Sequence, residues 1–257
     1  MVVQLSTQAW YSRGQALRLL SQTTRLVSLN APKKIGILGG TFDPPHIGHL
    51  KLASHFAKIL CLDELLLIPS GEPWQKGLEI TPAKIRLQLI EAAGIDLARA
   101  FLYLQIPTQI GIDHIEMDRT GPSYSIDTAR ALRERFGSES SLTWLMGADS
   151  LIQLPTWNSW KELFRYMNFA VASRPHFDLT MQMSPEIEEL LKTHQINDPA
   201  ALENSPAGRI YIDESLSVDL SSTELRNYLK TSSRGQIASE QIPAHTLEII
   251  TKLGLYQ

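Results

Sequence analysis

The chain has one cysteine, Cys61, in 257 residues. That excludes an internal disulfide and a thiolate metal cluster, and it accords with a reducing compartment. Flanked by Leu60 and Leu62, the thiol is expected to pack. No uncharged apolar run approaches the roughly 18 residues a membrane-spanning helix needs, and there is no secretory h-region. Internal repeats and long low-complexity linkers are also missing. Acids are absent from residues 1–34, which carry Arg13, Arg18, Arg25, Lys33 and Lys34. The overall charge is −3, so the remainder holds 19 basic against 27 acidic residues, a net −8. An acidic body lacks the basic stripe a general nucleic-acid binder uses to displace counterions. What is there, 43% hydrophobic and 20% charged residues, is the composition of an ordinary globular protein.

Residues 1–32 are rich in Ser, Thr, Gln and Arg, a composition shared with organellar transit peptides. The alternative is an amphipathic helix with Ala16, Leu17, Leu20 and Val27 on one face. They are expected to form an N-terminal extension to a domain over 33–257. In that domain short apolar runs alternate with helical patterns. Strands are expected at Ile35–Leu38, Glu64–Ile68, Leu142–Met146, Phe169–Ser173 and Arg209–Ile212, with weaker signals at 101–106 and 114–117. Helices are expected near 49–60, 83–94, 125–136, 159–166 and 184–194. This order predicts an α/β fold: a Rossmann-like, doubly wound, mostly parallel sheet with helices on both faces. Its ligand would lie beyond the carboxyl ends of the strands.

The most informative run is Gly39-Gly40-Thr41-Phe42-Asp43-Pro44-Pro45-His46-Ile47-Gly48-His49-Leu50. A short apolar strand precedes it. Leu52, Ala53, Phe56, Ala57 and Leu60 follow at helical spacing. Strand, glycine turn and helix start together aim backbone N–H groups at one point, which makes an anion site. His46 and His49, three apart, add two imidazoles on one helix face. A phosphate held between amides and rings is the economical reading. A zinc pair would need a Glu between the histidines and a suitably spaced third ligand, and neither is present; no metal ligands are assigned.

The run resembles the signature of the His-x-Gly-His nucleotidyltransferases, in the form found in nicotinate-nucleotide adenylyltransferases. Ser221, Thr223 and Arg226 match the Ser-x-Thr-x-x-Arg motif of the same superfamily. Taken alone they could equally be a capped helix with a surface arginine. Gly147-Ala148-Asp149-Ser150-Leu151 with Trp157 resembles the family's Gly-x-Asp-x-Leu…Trp segment. Gly121-Pro122-Ser123-Tyr124-Ser125 resembles its Gly-Pro-Ser-Tyr-Thr segment, with Ser123 a credible N-cap. Gln75 stands where the family often has His, and Lys76 is retained. Ser173-Arg174-Pro175 and Gly254-Leu255-Tyr256 also look familial. The resemblance covers about residues 33–257.

The resemblance implies an ATP-dependent adenylyl transfer to nicotinate mononucleotide, giving deamido-NAD and pyrophosphate in NAD biosynthesis. Gly39, Gly40, Thr41, Phe42, His46, His49, Ser221, Ser222, Thr223 and Arg226 would bind ATP. His46, His49 and Arg226 would be catalytic. Asp149 would contact substrate ribose, Trp157 would stack on the pyridine ring, and the Ser125 and Asn158 N–H groups would catch its carboxylate. Mg²⁺ would bridge phosphate oxygens, largely hydrated, with no all-protein cage. Partners are then ATP and nicotinate mononucleotide, with neither nucleic acid nor membrane; a homo-oligomer is compatible with the sequence. The expected location is cytoplasmic, with organellar targeting by residues 1–32 the alternative. Two rivals stay open: the same chemistry with nicotinamide mononucleotide or another phosphate acceptor, and a non-catalytic nucleotide-binding module. His55, His114, His176, His194 and His245 have no cluster around them and are expected at the surface or packed on helices.

Overall fold

Along each central strand, successive apolar side chains feed two different cores, which is what a parallel sheet covered on both faces requires. A computed structural model of the protein describes residues 32–73, 80–173, 183–216, 222–230 and 240–256. Residues 1–31 lie outside the described residues, and so does the amphipathic helix or targeting segment expected there. Among the described residues of the unit Pro32–Gln257, seven strands form one sheet. They are β1 (Lys34–Gly40), β2 (Glu64–Pro69), β3 (Gln109–Ile112), β4 (Ser141–Gly147), β5 (Asn168–Ala172), β6 (Gln195–Ile196) and β7 (Ile210–Asp213). Their spatial order is β3-β2-β1-β4-β5-β7-β6, and every pairing is parallel.

Ile35, Ile37, Leu66, Ile68, Leu142, Trp144, Met146, Phe169 and Val171 point to one face. There they pack under α3 (Ser125–Phe136) and α4 (Ala148–Ile152). Leu38, Leu65, Leu67, Leu145, Ala170 and Ala172 point to the other, under α1 (Ile47–Ile59) and α2 (Ala83–Leu104). Shorter pieces are α5 (Pro185–His194) and α6 (Ala200–Glu203). An outer layer adds α7 (Ser222–Lys230) and α8 (Ala244–Leu253), whose Leu225, Leu229 and Ile250 pack with Leu89 of α2. Among the described residues, no helix is long and apolar enough to cross a membrane.

The five firm strands fall where the alternation put them, within two residues at each end. The two weaker ones do not. Residues 101–104 continue α2, because Leu97 and Phe101 extend its buried stripe Leu89, Ile90, Ala93; the helix stops only at Gln105, in the left-handed conformation. Residues 114–117 form a turn, closed by Met117 N–H on the His114 carbonyl at 2.8 Å. The real strand lies just before it, pairing Gln109–Ile112 with Glu64–Leu67. The expected helix at 159–166 is 3₁₀ over Trp160–Arg165. Cys61 does not pack. It occupies the left-handed turn after α1, so its side chain is exposed while Leu60 and Leu62 are buried.

Candidate active site

Strand order reverses between β1 and β4, so the crevice at their carboxyl ends is where this topology receives a ligand. Gly39 and Gly40, expected in a turn, are instead the last residues of β1, paired with Ile68 and Pro69. Their missing side chains serve packing. A Cβ on Gly39 would come within 2.7 Å of the Trp144 ring, and one on Gly40 within 3.3 Å of Phe42. The loop proper begins at Thr41, and Phe42 takes the left-handed φ of 51°. Because the Phe42 ring is buried in the core, only its backbone can serve a ligand.

His46 is the N-cap of α1 rather than a member of its first turn, and it is 6% exposed. Its N–H donates to Nδ1 of His49 at 3.1 Å, and the two rings stack with centroids 3.7 Å apart. Since Nδ1 of His49 accepts, the neutral ring carries its hydrogen on Nε2. That nitrogen is therefore a donor. Phe42 meets the His49 ring edge-on at 5.0 Å and fixes its plane.

The second motif reaches the same loop from the far end of the chain. Ser222 Oγ donates to the Pro44 carbonyl at 3.0 Å, and Arg226 Nη1 donates to the Asp43 carbonyl at 2.7 Å. Nη2 of Arg226 reaches Thr223 Oγ1 at 3.3 Å. A guanidinium has five N–H donors, so two such bonds leave it capacity for an anion. Ser221 lies outside the described residues. So do Gln75, Lys76, Arg174 and His176.

On the acceptor side, Asp149 is exposed in the first turn of α4, directly after β4. Trp157 is half-buried and stands edge-on to Trp144 at 6.0 Å, and Trp144 in turn fills the space beside Gly39. Asn158 is exposed beside it. Ser125 opens α3, but Ser123 is not its N-cap; Tyr124 is. Ser123 Oγ instead accepts the N–H groups of Gly71 and Glu72 at 3.0 and 3.2 Å. Its own N–H donates to the Glu72 carbonyl at 3.0 Å, lacing this segment to the loop after β2. Asp127 N–H donates to the Tyr124 carbonyl at 3.1 Å, and Ser125 and Ile126 hold the first two helical positions, whose N–H groups have no acceptor within the helix.

Four residues had no role assigned from the sequence: Arg86, Asp43, Glu116 and Tyr256. Arg86 is 1% exposed, and its guanidinium donates to the carbonyls of Thr81 (2.9 Å), Thr41 (2.9 Å), Ser70 (2.6 Å) and Gly71 (2.8 Å). Desolvation lowers its pKa, which the nearby Asp43 and Tyr256 partly offset. Stripping the guanidinium would orphan buried carbonyls, each costing about 1–3 kcal/mol. A signal existed: Arg86 sits at helical spacing from Leu89, Ile90, Ala93 and Leu97, a charge on an apolar stripe. Asp43 is 1% exposed and accepts from Tyr256 Oη at 2.6 Å and from Thr81 N–H at 3.2 Å. Glu116 is buried, accepts from Thr128 Oγ1 at 2.7 Å, and has its pKa raised by desolvation. Glu116 carried no local pattern that marked it as buried, and the run holding the half-buried Tyr256 gave no sign of its partner.

The remaining described histidines are mostly engaged on helices. His55 on α1 pairs with Asp213 at 3.2 Å, and His245 on α8 with Asp96 at 2.7 Å. His194 packs on Phe164, and His114 is exposed.

Comparisons with known proteins give the family and the fold. A family model described as cytidylyltransferase-like matches residues 37–228. A protein of Herminiimonas arsenicoxydans named "Probable nicotinate-nucleotide adenylyltransferase" is 35% identical over 224 residues, covering 87% of this chain and 96% of that protein. One of the same name from Aeromonas salmonicida is 37% identical over 229 residues, covering 89% and 99%. Among solved structures, Plasmodium falciparum nicotinic acid mononucleotide adenylyltransferase complexed with NaAD superposes with a TM-score of 0.60 at 16% identity. It covers 87% of this chain and 97% of that one, a likeness of fold.

Proposed function

The chain belongs to the cytidylyltransferase-like family and, within it, to the nicotinate-nucleotide adenylyltransferases, and we propose on that footing that it adenylylates nicotinate mononucleotide. The substrate's phosphate attacks the α-phosphorus of ATP, the α–β bridging bond breaks, and deamido-NAD and pyrophosphate leave. This is a step of NAD biosynthesis. The observation that carries the reading is convergence: Ser222 and Arg226 bond the loop that His46 and His49 close, from about 180 residues away in sequence.

In this reading the amides of the loop after Gly39 and Gly40, at Thr41 and Phe42, receive the phosphates. His49 donates from Nε2 to the oxygens around the α-phosphorus, and His46 holds His49 in the tautomer that can do so. Ser221, Ser222, Thr223 and Arg226 take the leaving pyrophosphate, with charge-assisted bonds from the guanidinium. Asp149 accepts ribose hydroxyls, Trp157 stacks on the pyridine ring, and the Ser125 and Asn158 N–H groups hold its carboxylate. No protein nucleophile is involved; catalysis is positioning and charge stabilisation of an in-line displacement. Residues 33–257 form the catalytic domain in this reading, and residues 1–32 an extension outside the chemistry.

A divalent cation, Mg²⁺ for ATP, fits this donor set only as a phosphate-borne ion. Among the described residues no group of three His, Cys, Asp or Glu could hold a metal, and the loop's own carboxylate, Asp43, is already engaged by Tyr256 and Thr81. When bound to ATP, Mg²⁺ would neutralise phosphate charge from its hydrated shell. The test is pyrophosphate release with ATP and a panel of nicotinate mononucleotide, nicotinamide mononucleotide, phosphopantetheine and cytidylyl substrates. Release with nicotinate mononucleotide is the expected result. Release with none would leave a nucleotide-binding module.

A further inference from the structure

We propose that Arg86 and Tyr256 act as one clamp of positioning residues, holding residues 41–43 so that the loop's amides face the phosphates. The inference rests on the adenylyl-transfer reading above and goes beyond it. Its basis is the planarity of the peptide unit. Arg86 Nη1 draws the Thr41 carbonyl inward at 2.9 Å. The Thr41–Phe42 bond is trans, so the Phe42 N–H on the same plane points the opposite way, out of the core. Fixing one end of that plane sets the other.

Tyr256 grips the next residue. After α8, Gly254 takes a left-handed φ of 60° and Leu255 N–H returns to the Ile250 carbonyl at 3.0 Å, which reverses the chain. The Tyr256 hydroxyl then donates to Asp43 Oδ1 at 2.6 Å, across 213 residues. Burial and the adjacent Asp43 carboxylate push its pKa up, so it stays a donor through ordinary assay pH. With Asp43 Oδ2 taken by Thr81 N–H and the Asp43 carbonyl by Arg226, the residue is held at both carboxylate oxygens and at its backbone.

Thr81 joins the two arms. Its carbonyl accepts from Arg86 Nε at 2.9 Å, its N–H donates to Asp43, and its Oγ1 donates to the Tyr256 hydroxyl at 3.4 Å. Arg86 is buried among backbone carbonyls and works through the backbone rather than on ATP.

The test compares full-length wild type, Tyr256→Phe and Arg86→Lys. Readouts are pyrophosphate release per folded molecule and hydrogen exchange of the peptide over residues 39–45, with circular dichroism setting the folded fraction. Tyr256→Phe should lower kcat about tenfold or more, with KM for the mononucleotide within about twofold. Its loop peptide should exchange faster while the β5 peptide is unchanged. Arg86→Lys should lose more, because an ammonium cannot span acceptors arranged for a fork. Unchanged kcat and exchange in Tyr256→Phe, or a loss confined to thermal stability, would overturn the clamp. If Arg86→Lys does not fold, Tyr256→Phe decides, since it removes one hydroxyl. If wild type releases no pyrophosphate with any acceptor, the transfer reading fails and the exchange comparison alone judges the clamp.

Discussion

His49 offers Nε2–H because the His46 amide occupies its Nδ1, and that single contact turns a titratable ring into a directed donor. His49→Ala should therefore reduce kcat by about 10²–10³-fold, the usual worth of a donor aimed at transition-state charge. Circular dichroism should report an intact fold, and near-normal turnover would remove the residue from the mechanism. Arg226 poses a different question, since it already bonds the Asp43 carbonyl and Thr223. Arg226→Ala should raise the ATP requirement, and Arg226→Lys should restore only part of the loss, because lysine keeps the charge without the planar fork. Full recovery by lysine would make the residue a point charge. These histidines and this arginine were legible because they lie in tight local motifs. Arg86, Asp43 and Tyr256 do not act locally: their partners are up to 213 residues away, a separation no spacing rule reports.

At the scale of elements, the site residues sit at the starts of α1, α3, α4 and α7, and the sequence patterns marked three of these but not the five-residue α4. They misassigned details wherever tertiary contacts overrode local preference. Ser123 had the chemistry of an N-cap, yet its hydroxyl accepts from Gly71 and Glu72, and Tyr124 caps α3. The glycines had the chemistry of a turn, yet Trp144 claims the space beside Gly39 and β2 pairs with both. For the start of α3, what matters is the backbone. Changes of the Ser125 side chain should leave activity nearly intact, whereas Ser125→Pro deletes the amide. That substitution suits the first helical position sterically, so the helix should survive while KM for nicotinate mononucleotide rises. A lost bond to a charged group is worth about 1.5–3 kcal/mol, roughly 10–100-fold. Steady-state kinetics with KM unmoved would detach Ser125 from the acceptor site. Trp157→Ala should weaken nicotinate and nicotinamide acceptors alike, since stacking does not distinguish acid from amide.

Over the whole molecule, the doubly wound fold class was readable because strands buried on both faces are short continuous apolar runs, and these alternate with helical patterns along the chain. The two-residue β6 and the position of β3 were not, because segments so short carry too few side chains to set a period. Every motif lies beyond Pro32, so a chain beginning at Ala31 is expected to keep adenylyl transfer. Loss of activity in such a chain, folded by circular dichroism, would bring the extension into the chemistry. Acceptor identity is what distinguishes this activity from its nearest rival, the same chemistry on nicotinamide mononucleotide. Two backbone N–H groups aimed at a carboxylate would meet the NH₂ of nicotinamide mononucleotide donor to donor. Two such mismatches cost on the order of 3–6 kcal/mol, or roughly 10²–10⁴ in specificity. The direct measurement is competition between nicotinate and nicotinamide mononucleotides at equal concentration with ATP, reading the ratio of dinucleotide products. A ratio of at least about 10² in favour of deamido-NAD is expected; equal products, or an excess of NAD, would contradict the nicotinate assignment.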